Sequence, residues 1–397
     1  MKYNNYTAYH VHSWDSLLDS CTDFRDYADR AAELGQKALA ITEHGNIYNW
    51  IEKKMYINSK GLKYIHGVEC YLTASLEDKV RDNYHTILLA KNYKGVQEIN
   101  LLVDKSTQPD HRYYKPRITF DEFFNISDNV IKISACLASP LNKYPNDINR
   151  SIQEQTFELN KEMEEKIRET ECLKQDKKKE AEWIKEYEDV STPPWYYDGT
   201  PHEAWVRYLD EKIDSYRKKY EEEINTVKKI NDSSRNIFYK LLETYDYYEI
   251  QPHDFPEQKR YNEFLYQASL QTGKPLIAGT DTHSINSYKA QCRSILQKAK
   301  KIEYADEDKF DLTYKSYKEL VEMFRKQGCN IPFEVILEAI EETNRMADSI
   351  EDFVLDTSVK YPKVYNNEEE VLKQRILKMF KEKIDAGIID KKKIPEY

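Results

Sequence analysis

Glycine is scarce, with 10 residues in 397, and none of it forms a Gly-rich phosphate loop, which counts against an open, doubly wound nucleotide-binding sheet. The six cysteines, Cys21, Cys70, Cys136, Cys172, Cys292 and Cys329, include no C-x-x-C pair. They read as reduced thiols of a cytoplasmic protein, with one of them a candidate ligand. No apolar run approaches the roughly 18 residues of a spanning helix. A mean hydropathy of -0.83 with 33% charged residues excludes an integral membrane protein. The opening MKYNNYTAYHVHS has no apolar h-region, so it is not a secretory signal. Positive charge is not in excess either: 60 Lys+Arg face 70 Asp+Glu, a net charge of -10. That balance argues against tight duplex binding through phosphate contacts alone. It leaves a nuclease site open, because bound divalent cations supply positive charge locally. What the chain does have is aromatic residues, 13% of the total and 32 of them Tyr, far too many for a disordered polymer. It folds and is soluble, and its length allows two or three domains or one large α/β barrel with additions.

Seven segments read as buried strands: YTAYHVHS (6–13), KALAITEHG (37–45), LKYIHGVECYLT (62–73), YHTILLAKN (84–92), NVIKISACLAS (129–139), YDYYEIQPH (245–253) and KPLIAGTDTHS (274–284). Stretches with helical periodicity, such as DFRDYADRAAELGQ and YKGVQEINLLVDKS, lie between them. Strands alternating with helices predict a parallel β/α barrel of seven strands, built from residues 1–147 and 244–300. Residues 148–243 have another texture: two charge-laced helices with opposite signs at i,i+4, separated by the Pro- and Gly-containing STPPWYYDGTP. They predict an inserted antiparallel helical hairpin, either solvated over most of its surface or serving as a partner-binding arm. Residues 301–397 read as a helical extension, and the chain stops at KKKIPEY without a closing signal, as a cut or split chain would.

The residues that carry chemistry border these strands. His10 and His12 sit two apart, so a period of two points both imidazoles into one space. Asp281 and His283 repeat the arrangement after PLIAG. His44 follows ALAIT, Glu69 follows YIHGV, His85 precedes TILLA and Cys136 follows VIKIS. A single histidine beside a strand is most often a satisfied core residue. Five of nine histidines clustered with acids at strand ends is a different matter, because burying them without a cation would leave charges and polar groups uncompensated. A polynuclear site for zinc, iron or manganese follows.

The segments HVHSWDSLLDS, ITEHGNIY, HGVECYLT, YHTILLAKNYKGVQEINLLVDKS, KPRITFDEF, ISACLASPL and GTDTHS resemble the PHP (polymerase and histidinol phosphatase) domain. More narrowly, they resemble the N-terminal PHP domain of C-family replicative DNA polymerases of the polymerase III α-subunit type. The resemblance covers about 6–145 and 237–397, with the helical insert outside it. It implies a distorted seven-stranded β/α barrel with three divalent metal ions, Zn2+, Mn2+ or Fe2+. The ligands it implies are His10, His12, Asp19, His44, Glu69, His85, Cys136, Asp281 and His283. His10, His12, Glu69 and Asp281 would hold the first ion and carry catalysis. Glu69, His85 and Cys136 would hold the second, with Glu69 bridging, and Asp19, His44 and His283 the third. Glu43 stands where the family usually has Asp; it would orient His44 or a bound water from behind.

Closely spaced cations would clamp a phosphate oxygen, activate water and stabilise the leaving oxygen, hydrolysing a phosphomonoester or a 3′-terminal phosphodiester without a Ser or Cys nucleophile. His253 is a candidate phosphate contact or a plain surface histidine. EAIEETNRMADSIEDF, VKYPKVY and LKQRILKMFKEKIDAGIIDKKKIPEY resemble the junction between a PHP domain and a polymerase palm, yet no strand-borne D-x-D follows residue 300; EYADEDKFDL reads as a polar loop. The resemblance therefore implies a polymerase portion lacking the polymerising site, with 3′→5′ proofreading exonuclease chemistry. Its partners would be the 3′ end of a primer–template, the rest of a C-family polymerase and other replisome subunits, and no membrane. Two rivals are a stand-alone phosphoesterase for a small phosphomonoester and a module whose metals only stabilise the fold and dock the polymerase.

Overall fold

The computed structural model describes residues 5–77, 81–196, 199–302, 310–359, 363–390 and 392. The chain divides into two units, Met1–Asp352 and Phe353–Tyr397. The first unit interleaves short strands with helices in the order α1 (Phe24–Glu33), β1 (Ala38–Ala40), α2 (Trp50–Ser59), β2 (Lys63–Ile65), β3 (Gly67–Thr73), β4 (Tyr84–Ala90), α3 (Tyr93–Ser106), β5 (Arg117–Thr119), α4 (Phe120–Phe124) and β6 (Val130–Ile133). Then come α5 (Pro140–Leu173), α6 (Lys177–Lys185), α7 (Pro201–Thr244), β7 (Tyr248–Ile250), α8 (Pro256–Thr272), β8 (Leu276–Ala278), α9 (Ser287–Lys300), α10 (Tyr317–Gln327) and α11 (Phe333–Ser349).

The fold is mixed α/β, and its regular pairing stops short of the expected barrel. β1 pairs with β2 and β7 with β8, both in parallel, while a four-stranded sheet has the order β5-β3-β4-β6. Within it β4 runs antiparallel to both neighbours, so this sheet is not parallel throughout. The cause is the short link from Thr73 to Tyr84, which cannot hold the crossover that a parallel return requires. Residues 6–13, expected as a strand, form no regular ladder among the described residues: they pair through the isolated bridges Ala8↔Leu39 and Val11↔Thr282, and other backbone groups bond to side chains such as Thr42 and Thr343. Further bridges connect His44 with Glu69 and Ile133 with Tyr247. The expected strand 62–73 is split in two around His66, and β5 was not among the expected strands.

One apolar interior unites these pieces. Tyr9, Ala38, Ala40, Ile65, Ile87, Leu89, Ile131, Ile133 and Ile277 pack with Met346, Ala347 and Ile350 at the end of α11. These side chains come from the N-terminal segment, from strands of all three sheets and from a helix, so the sheets share a single core.

α5 begins at Pro140, with Ser139 capping it, and runs without a break through position 148. α7 starts at a capping box, Thr200 with Glu203, with Pro201 at its first position, where a missing N–H costs nothing. The two long helices pack against each other, and near α6 they enclose a small aromatic core of Trp183, Trp205, Ala204 and Leu209. The second unit contains α12 (Glu368–Asp385), in which no residue is buried. Most of EYADEDKFDL and of the terminal KKKIPEY lies outside the described residues.

Candidate metal centre

Each candidate ligand is placed by a strand or by the turn that ends it. Tyr9, Val11 and their neighbours are fully buried, and the extended backbone sends His10 and His12 to one side, both with no exposure. Glu69 lies in β3, directly across from Ile87, and bridges to His44, which follows β1. His85 is on β4, opposite Tyr71. Cys136 and Asp281 follow β6 and β8 through residues in the left-handed region: Ala135 has φ 59 and Asp281 itself φ 45. Such a backbone costs roughly 1–2 kcal/mol per non-glycine residue, so packing must hold it there, and it turns both side chains inward.

The nine residues come together. His10 Nε2 is 3.1 Å from Asp281 Oδ1 and 3.5 Å from Glu69 Oε1. His12 Nε2 is 3.4 Å from the same Asp281 oxygen and 3.6 Å from Glu69 Oε2. His85 Nδ1 lies 2.8 Å from Glu69 Oε1 and 3.7 Å from Cys136 Sγ. Asp19 Oδ2 is shared by His44 Nε2 at 2.9 Å and His283 Nε2 at 3.3 Å, while His44 Nδ1 also approaches Glu69. The imidazole of His12 stacks on those of His44 and His283, with centroids at 4.0 and 4.5 Å.

Electrostatics mark the cluster as a site for cations. Burial, reinforced by positive charge on His44 and His283, drives His12 down to about 3. Burial also opposes protonation of His44, but Glu69 and Asp19 outweigh it and raise this imidazole to about 10. Burial pushes the Cys136 thiol well up, and the carboxylates of Asp281 and Glu69 add to the effect, so a thiolate there needs a cation beside it. Most telling are atoms that stand close to opposite charge yet make no well-directed hydrogen bond among the described residues: His10 Nε2, His12 Nε2, His44 Nδ1, both oxygens of Glu69 and Oδ1 of Asp281, all buried. Leaving so many polar atoms unsatisfied is costly, and lone pairs converging on a shared centre are what divalent cations take. Three groups each have ligand atoms within 4.8 Å of one another: His12, His44 and His283; His10, His12 and Glu69; His44, Glu69 and His85. The residues present therefore fit divalent metals. One group, His10, His12 and Glu69, falls within the first set that the resemblance implies, while His12 also stands beside His44 and His283 and His44 beside Glu69 and His85.

Several supporting residues were not legible beforehand. Glu249 in β7 is wholly buried and bonds His10 Nδ1 at 2.8 Å, the Tyr9 hydroxyl at 2.9 Å and Gln251 Nε2 at 2.7 Å. It thereby fixes the imidazole so that Nε2 faces the cluster. A Cβ on Gly279 would stand 2.2 Å from this carboxyl carbon, which is why glycine is required there. On the far side Arg293 of α9 donates from Nε to Asp19 Oδ1 at 3.0 Å, and Gln297 Nε2 reaches the same oxygen at 3.1 Å, so Oδ2 remains for His44 and His283. Neither Glu249 nor Arg293 carries a local signal: Glu249 reads as ordinary alternation within YEI, and Arg293 as one of several basic residues of α9. Glu43 is placed differently from the expectation. Its carboxylate accepts bonds from Lys53 Nζ at 2.7 Å, Ser16 Oγ at 2.5 Å and Ser13, and it makes no bond to the His44 ring. It acts at one remove, because Ser16 Oγ contacts His12 Nδ1 and accepts from the His44 backbone N–H. His253 is not a surface residue. It is 3% exposed, and with His44, His85, Asp281 and His283 it lines a cavity of about 480 Å3.

A buried cluster of imidazoles, carboxylates and one thiol at strand ends, opening on a cavity, defines a metal-binding α/β protein. The family model of the PHP domain matches residues 8–187, and the chain carries a PHP domain. It is similar to the DNA polymerase III subunit alpha of Chlamydia pneumoniae, 24% identical over 377 residues that make up 90% of this chain and 25% of that protein. The corresponding subunit of Treponema pallidum is 36% identical over 138 residues, 33% of this chain and 12% of the other. A solved structure from Bifidobacterium adolescentis, provisionally named a metal-dependent phosphoesterase, aligns with 70% of this chain and 87% of its own at 13% identity and a TM-score of 0.27, too slight a likeness to bear on the fold. The chain spans about a quarter of the length of the curated relatives that it matches over most of its own. Among the described residues no helix is long and apolar enough to cross a membrane.

Proposed function

We propose that the cluster hydrolyses phosphodiesters at the 3′ end of DNA, as the PHP portion of a C-family replicative polymerase acting in the cytoplasm. The observation that carries this reading is the convergence of buried, unsatisfied ligand atoms from Glu69, Asp281 and the histidines beside a cavity large enough for a nucleotide. His10, His12, Asp19, His44, Glu69, His85, Cys136, Asp281 and His283 are the proposed ligands of three divalent ions, with Zn2+, Mn2+ and Fe2+ the chemically suited metals. When bound, such ions neutralise a phosphate and activate water. The chain's own part is to hold the site rigid and dry: Glu249 and Ser16 orient His10 and His12, Arg293 holds Asp19, and the apolar interior excludes water beneath the ligands. Exposed Lys115 and Lys143 border the cavity and would meet the phosphates of an incoming strand.

The architecture behind this reading is a distorted seven-stranded barrel from 1–147 and 244–300, interrupted by the hairpin at 148–243 and extended over 301–397. The bridges that connect residues 8 and 11 with β1 and with Thr282, and Ile133 with Tyr247, support it by linking the three sheets in a ring.

The test is a 5′-labelled primer–template with a 3′ mismatch, incubated with the full chain in Mn2+, Zn2+ or EDTA, with Asp281→Asn as control. A metal-dependent ladder that shortens from the 3′ end and vanishes in the variant supports a proofreading nuclease. No ladder from a folded, metal-loaded chain would sink the autonomous exonuclease. Turnover of small phosphomonoesters instead would favour the stand-alone phosphoesterase, and metal-dependent melting without any turnover a docking module.

A further inference from the structure

The wall of the cavity that includes His253 has a chemistry unlike that of the ligand cluster. His253 is buried, yet neither Nδ1 nor Nε2 has a hydrogen-bond partner among the described residues. Gln258 at the start of α8 is 1% exposed; its Nε2 donates to Asn262 at 2.9 Å, while its Oε1 is buried and unpartnered. Both residues line the same cavity as His85, Cys136 and Asp281. Phe310, also in this wall, lies against the His253 ring with centroids 4.9 Å apart and planes at 32°, and Phe255 meets Phe310 edge-on at 5.6 Å. The wall thus offers an aromatic face beside a ring nitrogen pair and a free amide acceptor. Burial lowers His253 to about 4, so the ring is neutral at pH 7, with one nitrogen donating and the other accepting. A neutral imidazole and an amide oxygen suit a base edge or a sugar hydroxyl and give a phosphate no counter-charge.

We propose that His253, Gln258 and Phe310 form the subsite for the terminal nucleoside of the substrate, with its 5′-phosphate directed to the metal centre, so that the ligand class is a deoxynucleoside 5′-monophosphate unit. The inference rests on the phosphodiester reading above, and its test separates the two. Isothermal titration of the full chain in Mn2+ compares dAMP with 2-deoxyribose 5-phosphate, which lacks only the base. Aromatic stacking and edge contacts should make dAMP bind at least about tenfold more tightly. His253→Ala and Phe310→Ala should each shrink that gap to under about threefold without weakening deoxyribose 5-phosphate. Phe310 is partly exposed, so its variant decides the matter if His253→Ala does not fold. Equal binding of the two ligands by the unaltered chain, no binding of dAMP, or a gap that survives in a folded variant would each overturn the subsite. Mn2+ stoichiometry is read in the same titrations: a chain that binds Mn2+ but ignores the base loses only the subsite. A chain that binds no Mn2+ yet keeps the gap retains the subsite and loses the metal centre.

Discussion

The strand-end cluster and the helical hairpin resolve the same problem, where polar residues go, in opposite ways. In the hairpin most charge stays outside: Lys179 with Glu182 and Lys178 with Glu182 are exposed pairs at helical spacing, and the one buried acid of α6, Glu180, is met by Lys177 and His202. The small core near α6 is apolar, Trp183 and Trp205 with Ala204 and Leu209, and the Trp205 indole donates to the Leu173 carbonyl. In the cluster, imidazoles and carboxylates are interred and two backbone positions are held in left-handed conformations. The hairpin follows the rules of stability with isolated exceptions, Pro145 inside α5 and the buried but paired Glu180. The cluster violates them together and in one place, which is the mark of a site kept for chemistry.

The most forceful way to break the comparison is Trp205→Ala. Losing a 5% exposed indole from so small a core should destabilise the hairpin by about 3–5 kcal/mol, read by hydrogen exchange along α5 and α7, while metal affinity at the cluster is unchanged. A fall in metal affinity in that variant would show that the two regions are not independent. The next effect is Glu249→Gln. Replacing the carboxylate that orients His10 should weaken metal binding by about 10–100-fold in a competition assay with a chelating dye, and leave the hairpin as it was. Unchanged affinity would reduce Glu249 to an ordinary buried acid.

These two variants also mark what could be read in advance. The apolar runs ending at His10, His44, Asp281 and His283 were visible, because a period of two and a run of aliphatics locate a strand end without any tertiary information. Glu249 was hidden: within YEI it reads as normal alternation, and only the approach of β7 to the N-terminal segment shows that it is buried against His10. Arg293 was hidden more deeply, since its contact with Asp19 joins residues far apart in sequence, and nothing local distinguishes it from the other basic residues of α9. The hairpin was legible as two helices, but its tryptophans are scattered among charges in EAEWIKEY and HEAWVRYL and so read as surface residues. Residues 6–13 failed as a regular strand because their backbone bonds go partly to side chains, as when Thr343 Oγ1 accepts from the Thr7 N–H. The antiparallel course of β4 follows from loop length, which strand patterning does not report.

A histidine three positions from Glu69 sharpens the contrast. His66 is buried like His10 and His12, but both nitrogens are satisfied, by the Tyr64 hydroxyl and by Asn100 Oδ1, each at 2.9 Å. Burial lowers it to about 4. Its folded-state value lies below the unfolded value of about 6.5, so its contribution to stability is complete above that pH and is lost as pH falls toward 4. Between pH 7 and 5 the loss amounts to ~2 kcal/mol, and in His66→Gln the pH slope of chemical denaturation should flatten by that amount. An unaltered slope would mean that His66 is not neutral in the folded chain. Smallest of all should be Lys178→Ala. Its pair with Glu182 is 4.0 Å long and mostly solvated, so the hairpin should lose no more than about 0.5 kcal/mol. A larger loss would show that the hairpin's surface charges are coupled, and that the division drawn here between buried chemistry and solvated scaffold is too sharp.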